Sequence, residues 1–108
     1  MSLYAQYLKE LVGKHIIEKE HGFLVYSFTN DSCYIENIFV EEGHRHYNLA
    51  SDMADEVVEI AKEKGLTKLV GSVTPSANGS TASLRILLAY GFKLNSSTDN
   101  FILFEKAI

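Results

Sequence analysis

The chain has 108 residues, of which 46% are hydrophobic, 22% charged and 11% aromatic, with a formal net charge of −4. That is room for one domain over residues 1–108, and a chain this size needs neither disulfides nor a structural metal to bury a core. Ten Lys and Arg scattered through an acidic chain make no basic face for nucleic acid or for an anionic membrane surface.

Leu3, Tyr4, Tyr7, Leu8, Leu11 and Val12 recur at helical spacing and Gly13 follows as a stop, predicting a first amphipathic helix. Residues 15–20 then read as a short strand, His21-Gly22 as a turn and residues 23–29 as a β-branched, aromatic strand. Residues 30–32 close a hairpin into a third strand, residues 33–40, so the first three strands form an antiparallel meander. From about Asn48 to Lys64 the apolar positions return to helical spacing, with Asp52, Asp55, Glu56, Glu59 and Glu63 on a solvated face. Residues 67–73 form a strand, and Pro75 to Gly79 a loop. Ser80 is placed to cap a helix whose apolar positions are Leu84, Leu87, Leu88 and Gly91. Another strand begins at Gly91–Leu94, residues 95–100 are a polar turn, and residues 101–108 a last strand. The order α-β-β-β-α-β-α-β-β is an α/β (α+β) pattern. The helix between the third and fourth strands is a crossover, so those two strands are expected to run parallel in a mixed, mostly antiparallel sheet.

The longest apolar run, residues 86–89, is far short of the roughly 20 needed for a membrane span. Residues 1–4 lack a charged region followed by an apolar one, so the expected location is the cytoplasm. Dinucleotide, Walker, zincin, EF-hand and nucleophile-elbow signatures are all missing. Cys33 is the only cysteine, stands at the very start of the third strand and has no evident His partner, which argues against a covalent thiol route. His44 and His46 are spaced as a metal-binding pair, but with no third ligand evident no metal is expected. His15 and His21 read as plain surface residues.

The informative stretch is residues 34–54, Tyr-Ile-Glu-Asn-Ile-Phe-Val-Glu-Glu-Gly-His-Arg-His-Tyr-Asn-Leu-Ala-Ser-Asp-Met-Ala. A strand runs through a short polar loop into the N-terminus of a long helix, where unpaired N–H groups and a partial positive charge hold phosphates without basic side chains. Here the sequence resembles the GNAT superfamily of N-acetyltransferases, in which a strand leads into Q/R-x-x-G-x-G/A and its amides hold the pyrophosphate of acetyl-CoA. The matching run is Arg45-His46-Tyr47-Asn48-Leu49-Ala50. Arg45 and Ala50 fit, and Asn48 stands where the first Gly belongs; Asn tolerates left-handed backbone better than most residues.

A second resemblance, to N-x-x-A-x-x-L-Y-x-x-x-G-F, ends at Gly91-Phe92. It sets Ser80 at the Asn that bonds the pantetheine arm, Ser83 at the small residue and Leu87 at the Tyr that protonates the departing thiolate. Asn78 is an alternative to Ser80. Leu87 cannot donate a proton, and Tyr90, a turn further on, reads better as core packing than as a replacement. Together the resemblances imply a GNAT-like fold over about residues 14–108.

Alternation along the third strand predicts Tyr34, Glu36, Ile38 and Val40 on one face and Ile35, Asn37 and Phe39 on the other. Glu36 interrupts an apolar row, and its strand is similar to one in the small polyamine acetyltransferases whose Glu serves the acceptor amine. The resemblance implies that Glu36 orients or deprotonates a primary amine, that a backbone N–H near Phe39-Val40 stabilises the oxyanion, and that transfer is direct. Only one helix precedes the first strand, which leaves an open acceptor side fitting a protein or peptide amine, a polyamine-like acceptor, or a pocket completed in a homodimer. Asn48, Ser80 and Leu87 equally suit a rival: a catalytically weakened acyl-CoA-binding or protein-interaction module.

Overall fold

The computed structural model describes residues 2–45 and 48–108. Helix α1 (Leu3–Tyr7) continues as a π-helical turn, Leu8–Val12, and stops at left-handed Gly13. Then come β1 (His15–Lys19), β2 (Gly22–Phe28), β3 (Ser32–Val40), α2 (Leu49–Glu63), β4 (Lys68–Val73), α3 (Ser80–Tyr90), β5 (Lys93–Thr98) and β6 (Phe101–Ala107). The six strands form one sheet in the order β1-β2-β3-β4-β6-β5, parallel only between β3 and β4. The meander and the crossover helix are thus as the sequence predicts. Among the described residues no helix is long and apolar enough to cross a membrane.

The core lies where α2 covers the sheet. Met53, Ala54, Val57 and Ala61, one face of α2, pack with Leu24, Tyr26, Cys33, Ile35 and Leu69 from the strands. The acidic positions of α2 are exposed as expected. Glu56 also reaches Lys19 Nζ at 2.9 Å, tying the helix to β1. Helix α3 closes over β4 through Leu87, whose Cδ2 would lie 3.1 Å from a Cβ at Gly71. A Cβ at position 71 would therefore require the Leu87 side chain to give by a few tenths of an ångström.

Four sequence expectations are corrected. The polar segment 95–100 is mostly strand: β5 runs to Thr98, fully exposed, held by backbone pairing to β6 with a register shift between Leu94 and Ser96. Cys33 is the second residue of β3, not its first, and is fully buried. Ser80 is the first residue of α3 and caps nothing; left-handed Gly79 holds the cap position, and Ser80 Oγ donates to Pro75 O at 2.9 Å. The fourth concerns Glu36. Val25 pairs with Asn37 but Tyr26 with Ile35, so Glu36 is the extra residue of a β-bulge. The bulge reverses the alternation: Cys33 and Ile35 point inward before it, Ile38 and Val40 after it, leaving Asn37 and Phe39 exposed.

Candidate active site

The parallel ladder between β3 and β4 covers only Ser32↔Lys68 to Ile35↔Gly71. Both strands continue beyond it, β3 to Val40 and β4 to Val73, with no further pairing to each other. The break coincides with the bulge, since an extra residue bends its strand and raises its twist. A cavity of about 70 Å³ opens at the fork, lined by residues 35–38 of β3, Ser72 of β4, and Ser83, Ile86 and Leu87 of α3. Glu36 is therefore at the mouth of a cleft in the sheet. Its Oε2 is buried and accepts no hydrogen bond among the described residues. The Lys14 ammonium comes within 3.0 Å, an ion-pair distance, but outside hydrogen-bond geometry. Beside the cleft the hydroxyls of Tyr34 and Ser72 bond each other across the fork.

The loop after β3 prepares the start of α2. Arg45 Nε donates to Val40 O at 2.9 Å, turning the chain back on the strand it has left. Asn48 has φ 61°, the only left-handed non-glycine among the described residues, and its side chain does not cap the helix. The first helical bond runs from Asp52 N–H to Asn48 O at 3.0 Å. The N–H groups of Leu49, Ala50 and Ser51 come before it, as at any uncapped helix start. His46 and Tyr47 lie outside the described residues. Phe39 is exposed and Val40 buried at the end of β3.

Further along, Asn78 is exposed in the β4–α3 loop and Leu87 is buried. Tyr90 is half-buried beside Phe92 and its hydroxyl donates to Asp55 Oδ1 at 2.6 Å, linking α3 to α2. Burial and this hydrogen bond raise its pKa far above the usual phenol range. Burial likewise pushes the Cys33 thiol up to about 11, the opposite of an activated nucleophile.

These arrangements set a carboxylate beside a cleft that parts two strands, one loop away from a helix start with no side-chain cap. A model of the acetyltransferase (GNAT) family matches residues 2–92. The chain belongs to the GNAT acetyltransferase family. No curated protein matches it, but many solved structures share its fold. The PaiA N-acetyltransferase of Thermoplasma acidophilum, solved with coenzyme A, superposes with a TM-score of 0.72 at 16% identity, covering 82% of this chain and 54% of that one. A GNAT acetyltransferase of Elizabethkingia anophelis with acetyl-CoA bound gives 0.71 at 21% identity, covering 98% and 82%. A Bacillus subtilis acetyltransferase in complex with CoA gives 0.71 at 14%, covering 95% and 82%. The chain thus spans about half the length of the Thermoplasma protein.

Two groupings in this GNAT chain had no signal in the sequence. Lys14 reaches Glu36 from the end of the N-terminal helical segment. His21, read as a plain surface residue, is half-buried, stacks on His44 with ring centroids 3.6 Å apart, and has Nδ1 3.1 Å from Glu41 Oε2. His21 and Glu41 thus lie beside His44 in space, whereas His46, the other member of the sequence pair, lies outside the described residues. His15, read the same way, is half-buried against Tyr26 and Phe28.

Proposed function

We propose that the chain is an acetyl-CoA-dependent N-acetyltransferase that moves an acetyl group to a primary amine by direct transfer. The observation that supports it most is the parting of β3 from β4 beside Glu36. A fork there admits an extended thioester arm and exposes backbone groups of β3 that would otherwise pair with β4. The residues fit the co-substrate at its other end too. Left-handed Asn48 leaves the start of α2 without a side-chain cap, which suits a pyrophosphate held by backbone N–H groups.

In this reading the loop from Arg45 through His46 and Tyr47 to Asn48, with Leu49 and Ala50, binds the pyrophosphate, mostly through backbone. Ser80 or Asn78 contacts the pantetheine; the Ser80 proton is given to Pro75, so its hydroxyl offers only an acceptor there. Glu36 takes the proton from the incoming ammonium. The freed amine then attacks the carbonyl carbon while a backbone N–H near Phe39-Val40 steadies the charge on its oxygen; the carbon–sulfur bond breaks, and the CoA thiolate departs and takes up the second proton that the nitrogen sheds as the amide forms. With the Cys33 thiol buried and protonated, transfer needs no acyl-enzyme. The acceptor is a primary amine on a protein, a peptide or a small polyamine-like molecule, met as a cation by an acidic chain.

Calorimetric titration with acetyl-CoA, and with CoA alone for comparison, tests this. Micromolar binding weakened by Asn48→Asp supports the reading, because the added carboxylate would face the phosphates; an amine screen beginning with polyamines and lysine peptides then identifies the acceptor. No binding at millimolar acetyl-CoA sinks it. The rival, an acyl-CoA-binding or protein-interaction module without turnover, is favoured by buried Leu87 at the Tyr position. Binding without transfer to any amine would select it.

A further inference from the structure

We propose that His21, Glu41 and His44 form a binding site for a divalent cation of the zinc class. One ligand atom from each lies within 4.8 Å of the others. The residues come from two separate segments, the β1–β2 turn and the loop after β3, and backbone contacts hold those segments together. Glu41 N–H donates to His21 O at 2.7 Å, and His44 N–H donates to Glu41 O at 3.0 Å. Gly22 makes the approach feasible: a Cβ there would come within 2.6 Å of Phe39 O. The turn thus seats on the end of β3 because position 22 has no side chain.

Two imidazoles and one carboxylate are a donor set for zinc, nickel or copper, whereas magnesium and calcium favour all-oxygen shells. Zinc holds such ligands at roughly 2.0–2.2 Å, so the atoms must draw in from their present spread. The two rings, now parallel within 7°, must fan apart so that their nitrogen lone pairs converge. Both changes are side-chain rotations of half-exposed histidines and an exposed glutamate. The backbone is already in place. Three protein ligands leave a fourth position for water, as in open zinc sites. The ion would tie the loop that runs on to Asn48 down to the β1–β2 turn. This inference does not depend on the proposed acetyl transfer.

The test is calorimetric titration of the whole chain with zinc chloride in a metal-free, non-chelating buffer, with magnesium chloride as the comparison. One equivalent of zinc is expected to bind at micromolar concentration and magnesium not at all. His21→Ala and His44→Ala are each expected to weaken zinc at least about tenfold, with circular dichroism checking that the variants fold. On the unsubstituted chain, zinc should shift the ring NMR resonances of both histidines. No saturable binding at millimolar zinc overturns the proposal. So does binding that leaves both rings unshifted, or that neither substitution weakens.

Discussion

The Lys14 ammonium lies 3.0 Å from Oε2 of Glu36, so the carboxylate that borders the cleft already holds an alkylammonium of the chain's own. On the proposed function, a cationic acceptor must displace it. Removing the competitor in Lys14→Ala should therefore lower the KM for amines several-fold. The melting temperature should hardly change, since part-exposed ion pairs contribute only about 0–1 kcal/mol. Glu36→Gln keeps the shape but cannot take up the proton. It should cost about a hundredfold or more in kcat/KM while leaving acetyl-CoA affinity intact. Steady-state kinetics with calorimetry on both variants checks this, and a fully active Glu36→Gln would remove Glu36 from the chemistry.

Asn48 holds a left-handed conformation with φ 61° at the entrance to α2. Alanine there should destabilise the chain by roughly 1–2 kcal/mol, the cost of putting a Cβ in that region without the local hydrogen bonding open to Asn. Glycine should be tolerated, because it adopts the same backbone freely. By clearing the side chain from the helix start, Asn48→Gly should also tighten acetyl-CoA binding. Thermal melts and calorimetry on the pair decide it, and equal stability of the two variants would show that the turn is not constrained there.

Leu87 is 5% exposed, lines the cleft and packs over Gly71. On the proposed function, Leu87→Tyr puts a phenol at the position that the family resemblance gives to the proton donor for the leaving thiolate, so kcat should rise at least tenfold. The larger ring must fit a packed site, and overpacking of this kind costs about 1–3 kcal/mol, so the melting temperature should fall. A stopped assay of free thiol beside a thermal melt reads both. A folded variant with no gain in rate would mean that protonation of the thiolate does not limit turnover.

The elements that define the fold were legible because their signals are periodic. The α2 spacing, the apolar strands and the crossover all follow from residues that repeat every two or every three to four positions. The left-handed turn at Asn48 was legible too, through the family resemblance that sets a Gly at that position, with Asn among the residues that tolerate the conformation. The bulge at Glu36 was not, because it is defined by how β3 meets Val25 and Tyr26 of another strand. Strand β5 escaped for a different reason: Ser, Thr and Asn on a fully exposed edge carry no apolar alternation, and only pairing with β6 makes them a strand. Contacts such as Lys14 with Glu36, His21 with Glu41, and Tyr90 with Asp55 join residues 20 or more positions apart. No local pattern in the sequence announces them.

His15 gives the fold a pH dependence of its own. Its ring lies against Tyr26 and Phe28, with centroids 5.3 and 5.0 Å away. Burial first, then the charges of Lys9 and Lys64, hold its pKa below the usual 6.5. The unfolded chain therefore takes up this proton at a higher pH than the folded one. The resulting stability is present above about pH 6.5 and is lost as the pH falls through the depressed folded value. His15→Phe removes the titration while keeping an aromatic ring against the same neighbours. Between roughly pH 7 and pH 5 the melting temperature of the unsubstituted chain should fall more steeply than that of the variant. Carboxylates titrate in both proteins, so the difference between the two slopes isolates the imidazole. Scanning calorimetry across that range measures it, and parallel slopes would show that His15 keeps its proton equilibrium unchanged on folding.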